Sequence, residues 1–110
     1  MTNNLQLFAV TFLLLPSQFA TASETEAVKL LSKANAAAAR SDSKAAVEFA
    51  TKAINLSDGL PTAYYLRGRE RFRLGQFDAS IADFDQYVRL RPDAASRQWE
   101  RGITCYYAKK

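Results

Sequence analysis

Arg69 and Arg73 are the residues best equipped for chemistry in this chain, and the chemistry they offer is recognition. Four positions apart, they share one face of any helix that carries them. Their planar guanidinium groups can hold a carboxylate through paired hydrogen bonds. Tyr65 and Phe72 flank them, with rings that grip apolar groups or stack against cations. Groups that make and break bonds are missing. The sequence has no histidine, which removes both the commonest general base near neutral pH and the commonest metal ligand. Cys105 is a lone cysteine, with no partner for an internal disulfide and no second thiol for a zinc site. Serines and threonines lack an activating base, and neither a Gly-x-Ser-x-Gly elbow nor a glycine-rich phosphate loop is present. No enzyme, no metal, no cofactor and no small-molecule substrate is expected.

Composition and charge narrow the partner. Of 110 residues, 48% are apolar, enough for a folded core rather than a disordered chain. Lys and Arg number 15 against 11 Asp and Glu, a surplus that favours acidic partners without demanding nucleic acid. Nucleic-acid binding remains an alternative, using the arginines from Arg67 to Arg73 with Tyr64, Tyr65 and Phe72 as stacking platforms. Asp78, Asp83 and Asp85 interrupt the basic stripe that reading needs.

The elements that position these residues repeat. Ala34, Gly68 and Gly102 stand 34 residues apart, small residues in one phase. In the same register Ala46 pairs with Ser80, Val47 with Ile81, Ile54 with Val88 and Leu56 with Leu90. Each unit reads as two helices. Pro61 suits a first helical position and Gly75 a left-handed stop, bounding a helix from Pro61 to Leu74. A second helix runs from about Asp78, an N-cap candidate, to Leu90, and Pro92 ends it. The preceding unit opens on a capping box of Ser23 and Glu26, runs to about Arg40, turns at Ser41-Asp42-Ser43 and returns from Lys44 to Leu56. A further helix is expected from about Asp93 to Tyr107. Period-two alternation is not sustained, so no sheet is expected.

Residues 61–94 resemble a tetratricopeptide repeat. The family pattern asks for an aromatic early in the first helix, small residues where the two helices cross, an aromatic in the second helix and a closing proline. Tyr64, Gly68, Ser80, Phe84 and Pro92 stand at those places, with the Gly75-Gln76-Phe77 turn between. Residues 27–60 resemble a degenerate copy that keeps Ala34, Ala46 and Ala53, and residues 95–110 the first helix of a third. Two departures are Arg71 where a large apolar residue is usual, and Tyr87 where alanine is usual. The resemblance implies an all-α solenoid of about two and a half repeats (five helices), working as a non-catalytic module that holds a protein or peptide in a concave groove. By repeat position it places Leu31, Asn35 and Ala38 of the first unit, Thr62, Tyr65, Arg69, Phe72 and Arg73 of the second, and Ser96, Trp99 and Tyr106 of the third in that groove, with Tyr65, Arg69, Phe72, Arg73 and Trp99 as the binding set. Gly68, Ser80, Phe84 and Pro92 are the packing residues, with Gly68→Leu expected to be disruptive and Gly68→Ala much milder. Arg67 and Arg71, on the neighbouring face, are expected to snorkel. A subfamily that clamps chaperone C-termini has a Lys/Asn/Arg set. Asn35 fits one position, but Leu31, Leu66, Ser96 and Glu100 occupy others, and Glu100 has the wrong sign.

Ahead of the repeats, Leu7 to Leu15 is apolar except for Thr11, and no charged side chain precedes Glu24. About ten apolar residues match a signal-peptide core and half a bilayer span. Ala20-Thr21-Ala22 provides the small residues that signal peptidase reads, so residues 1–22 are expected to be a leader and 23–110 the exported domain. An uncleaved membrane anchor is the alternative. Two and a half repeats also fit a fragment of a longer array. The C-terminal helix has more apolar positions than one buried face accepts, so the chain is expected to self-associate or to take a partner through this end, a homodimer locked by Cys105 being one form of the first.

Overall fold

The computed structural model describes residues 21–109, so residues 1–20 of the expected leader 1–22 lie outside the described residues. Five α-helices and one 3-10 segment follow in order, with no strand among the described residues. They are α1 (Ala22–Ala39), α2 (Ser43–Leu56), α3 (Pro61–Arg73), α4 (Phe77–Leu90), the 3-10 turn Pro92–Arg97, and α5 (Trp99–Tyr107).

Alanine sets the first hairpin. Ala27, Leu31, Ala34 and Ala37 recur at helical spacing along the buried face of α1, opposite Ala46, Ala50 and Ala53 of α2. Methyl groups facing methyl groups let the two helices lie close with little side-chain entropy to lose. The helix ends carry their own hydrogen bonds. Thr21 is the N-cap of α1, its hydroxyl accepting from the Glu24 amide at 3.1 Å while the Glu24 carboxylate accepts from the Thr21 amide. This capping box replaces the one expected at Ser23 and Glu26, two residues later. At the other end the Ser41 and Asp42 amides donate back to the Ala38 and Ala37 carbonyls, with Ser41 at φ 62°. Asp42 then caps α2 by accepting from the Ala45 amide at 3.1 Å.

Helix α3 is central because three of its faces are occupied. Ala63, Leu66 and Glu70 turn towards the first hairpin, where Leu66 joins Ala34, Ala37, Ala46 and Ala50 and Ala63 joins Ala27, Leu31 and Ala53. Tyr64, Gly68 and Arg71 turn towards α4. Tyr65, Arg69 and Phe72 turn towards α5. Gly75 ends the helix at φ 78°, the Gln76 and Gly75 amides donating to the carbonyls of Arg71 and Phe72. That left-handed stop is the one expected. Helix α4 begins at Phe77 after a Gln76 cap that makes no side-chain bond, so Asp78 sits in the first turn and is not the cap.

The third unit departs from expectation. Residues from Pro92 form a tight 3-10 turn, and the backbone breaks at Gln98 (φ −86°, ψ 61°) before α5 starts at Trp99. Neither start has a capping side chain, and Pro92 supplies no amide, so one continuous helix from Asp93 lacks a firm beginning.

Gly68 is where α3 and α4 meet. Its carbonyl accepts the Ser80 hydroxyl at 2.6 Å, and a Cβ built there would lie 3.0 Å from the Phe84 ring and 3.2 Å from the Asp83 Cβ. Alanine is therefore tighter than expected, because its methyl meets both the Phe84 ring and the Asp83 Cβ, which must give way together. Gly102, in phase in sequence, is exposed, with nothing within 4 Å of an added Cβ. Its phase carries no packing role. Gly68→Ala should cost about 1–3 kcal/mol by crowding, whereas Gly102→Ala should gain up to about 1 kcal/mol from helix propensity. Urea unfolding of both variants measures the opposite signs.

A cleft between the third and fifth helices

A cavity of about 350 Å³ opens between α3 and α5, lined by Tyr65, Arg69, Phe72, Arg73, Phe84, Trp99, Glu100, Ile103 and Thr104. Tyr65, Arg69, Phe72, Arg73 and Trp99, the expected binding set, stand on this one lining, whereas Thr62, Asn35 and Tyr106 do not, and Leu31 and Ala38 pack in the first hairpin instead of facing a groove. Sequence reasoning did not find Glu100, Ile103 and Thr104, because the offset of α5 after the 3-10 turn decides which of its residues face inward, and it took Phe84 of α4 for a packing residue alone. Phe84 forms the floor and is 1% exposed. Trp99 forms an outer wall and is 66% exposed, an indole offered to solvent.

Helix α5 is held over the cleft by contacts at both ends. At its start the Tyr65 hydroxyl donates to the Glu100 carboxylate at 2.7 Å. That hydrogen bond, with burial and the carboxylate charge behind it, raises the Tyr65 pKa above the ordinary tyrosine value of 10.0. The Tyr65 ring also meets those of Tyr87 (5.3 Å between centroids) and Phe84 (6.0 Å), which accounts for an aromatic residue at Tyr87. At its end Tyr107 packs against Phe72 and Phe77, with centroids 5.6 and 5.9 Å apart. Between these, Arg101 is paired with Asp85. Thr104 is buried, its hydroxyl donating to the Glu100 carbonyl at 2.7 Å.

The arginines are more occupied than the sequence implies. Glu70 is fully buried behind the cleft, where its carboxylate accepts from Arg73 at 2.9 Å, Ser43 at 3.1 Å and Arg69 at 3.3 Å. Arg69 also stands over the Tyr65 ring at 6.0 Å. Arg67 and Arg71, expected to snorkel, instead grip Asp83 of α4. Arg67 is bidentate at 2.8 and 3.0 Å, and Arg71 adds a bond at 2.9 Å. Asp83 is 3% exposed, so the pairing offsets the cost of burying its charge. Arg71 thus fills its apolar position with an ion pair. The signal for Glu70 was present in the sequence, since it continues the Ala63–Leu66 stripe by one helical turn.

Tyr65→Phe removes the tie to Glu100 and should loosen α5 alone. Amide exchange should quicken in α5 while α1 to α4 keep their protection, with a loss of about 1–3 kcal/mol for a hydrogen bond to a charged group. The raised Tyr65 pKa fixes the pH sign. The contribution is fully present below pH 10.0, the ordinary value, and is lost as pH rises through the higher value of the folded state.

Comparison with protein families matches residues 61–94 to the tetratricopeptide repeat. No curated protein matches the chain. The matched span covers α3, α4 and the first residues of the 3-10 turn, the hairpin whose helices cross at Gly68. With α-helical hairpins and no strand among the described residues, the architecture is an all-α helical repeat. Residues 61–94 are a tetratricopeptide repeat, built into a tetratricopeptide-like helical array.

Proposed function

We propose that the chain is a non-catalytic adaptor of the cell envelope or exterior, holding a protein or peptide partner against the cleft between α3 and α5. Tetratricopeptide repeats are, as a class, protein–protein interaction modules, and residues 61–94 are one. The observation that carries the finer reading is the cleft itself: Tyr65, Arg69, Phe72, Arg73 and Trp99, from two different helices, line a single cavity. Its walls are rings and its rim is cationic, a combination suited to a partially acidic segment. Nucleic-acid binding has less support, because Arg67 and Arg71 are spent on Asp83 and do not form a free basic stripe.

Export rests on the sequence from Leu7 to Ala22. No described helix is long and apolar enough to cross a membrane. A cut after Ala22 would separate Thr21, the N-cap, from the helix it caps. Cleavage therefore belongs before α1 folds, when the site is still extended. A second reading, self-association through α5, is favoured by its exposed outer face, where Trp99, Ile103 and Tyr106 follow at helical spacing.

Site-directed photo-crosslinking tests these readings together. A photoreactive side chain at Phe72 should capture one protein partner in cells, and the same group at the exposed Glu48 of α2 should not. Equal yields from both positions would overturn the cleft as the binding face. Crosslinks from Trp99 to a second copy, with a reductant-sensitive dimer lost in Cys105→Ser, would favour self-association. The intact mass of the protein recovered should begin at Ser23. A mass including Met1 would replace the cleaved leader with an anchor.

A further inference from the structure

We infer that the cleft selects a segment in which one large apolar side chain stands next to a carboxylate, with the carboxylate placed at the Arg73 end. The inference rests on the cleft being the binding face. At about 350 Å³ the cavity is near the lower end of ligand pockets, the size for one bulky group rather than an extended ligand. Phe72, Phe84 and Ile103 give that group apolar contact.

The polar atoms deeper in the cleft are already engaged. The Thr104 hydroxyl is given to the Glu100 carbonyl, and the Tyr65 hydroxyl to the Glu100 carboxylate. With both hydroxyl donors turned to Glu100 and the rest of the wall formed by Phe72, Phe84 and Ile103, a hydrogen-bond acceptor placed there would lose its water and gain no donor, so an apolar side chain is favoured over it.

The rim selects the neighbouring charge. Glu70 balances one of the two positive charges of Arg69 and Arg73; Glu100, also on the lining, makes the set neutral overall, but its charge lies at the Tyr65 end and the remaining positive charge at the Arg73 end. Their side chains are 38% and 51% exposed, while Glu70 behind them is fully buried, so a ligand meets guanidinium groups and not the carboxylate. Arg69 donates to Glu70 from Nε and Arg73 from Nη1, and an arginine has five donors. One further carboxylate fits this account. Its placement follows from Glu100, which stands beside Tyr65, two helical turns before Arg73 on α3. It repels an anion from that end of the cleft and leaves the Arg73 end for the carboxylate.

Trp99, the single tryptophan, reports occupancy directly. The probes are the capped peptide Gly-Ser-Phe-Asp-Ser-Gly and versions with Phe replaced by Ser or Asp replaced by Asn, titrated into the whole protein. The parent peptide should give a saturable change in Trp99 fluorescence. The Ser version should bind about tenfold or more weakly, and the Asn version about three- to tenfold more weakly, by the usual worth of one apolar anchor and one partly exposed ion pair. In Arg73→Gln the Asp and Asn peptides should bind alike. Because that change also touches the buried Glu70, Ile103→Ser provides a second variant on an exposed wall. It should weaken both Phe peptides equally and keep their ratio.

Equal binding of the Asp and Asn peptides to the parent protein would overturn the inference. So would an Asp preference that survives Arg73→Gln in a protein of unchanged helicity, or no saturable response to any probe. Partner crosslinking at Phe72 without peptide response would sink this inference and leave the adaptor reading standing. Peptide response without partner crosslinking would do the reverse.

Discussion

At Gly68 the backbones of α3 and α4 come close enough for the Ser80 hydroxyl to bond the Gly68 carbonyl and for the Phe84 ring to lie against the glycine Cα. No side chain separates the helices there. This contact fixes how deep Phe84 sits, and Phe84 is the floor of the cleft. It also sets the distance at which Arg67 and Arg71 reach Asp83, two turns of helix being brought together at one height. Spread the helices by the width of a methyl group and the floor rises, the ion pairs lengthen and the seat for α5 shifts together. The geometry of the binding face is thus a consequence of one residue that has no side chain.

The charged interior of α3 is costlier and needs its own account. Glu70 and Asp83 are both buried carboxylates, and each would be strongly unfavourable alone. Each is met by two arginines, one pair per face. On the α4 face the arrangement stands in for the apolar residue that repeats of this kind usually carry. On the other face it ties the first hairpin, through Ser43, to the arginines of the cleft. The second pair is therefore both structural and functional: the guanidinium groups that face a ligand are held in place by a carboxylate that no ligand touches. Removing Glu70 would raise the positive charge at the rim but free the two side chains that carry it, and these effects oppose one another.

Much of this was legible in the sequence. The 34-residue phase of Ala34 and Gly68, the stop at Gly75 and the closing Pro92 are local signals, each with a direct steric cause, and the hairpins follow from them. Residues on α3 could be assigned to faces because helical spacing converts number into direction. The same logic failed where direction depends on something non-local. Gly102 keeps the phase but not the burial, because among the described residues no helix packs on that side of α5. The cap falls at Thr21 and not at Ser23 because Thr21 and Glu24 satisfy the same pattern two residues earlier. The pairing of four arginines with two acids was hidden for a different reason. Composition shows charge, but only the packed helices show which charges are shielded from solvent, and the apparent basic surplus of α3 is largely spent inside the protein.

The cleft owes its existence to α5, the shortest of the helices and the least embedded. A nine-residue helix has little intrinsic stability in water, so its place must come from tertiary contacts. It packs mainly on α4, where Arg101 pairs with Asp85, and its ties to the α3 face lie at its two ends: Tyr65 with Glu100 at one, Tyr107 with Phe72 and Phe77 at the other. Both involve α3 side chains on the same face as Arg69. The residues that would touch a partner are thus neighbours of those that hold the wall in place, and a segment inserted between Tyr65 and Phe72 presses on both ties. Binding and the seating of α5 are coupled for that reason. A ligand that fills the cleft adds apolar contact to Trp99 and Ile103, which have little of it otherwise, and so stabilises the docked helix as it binds. The exposed indole is then no defect of packing. Under the proposed function it is surface left for a partner to bury.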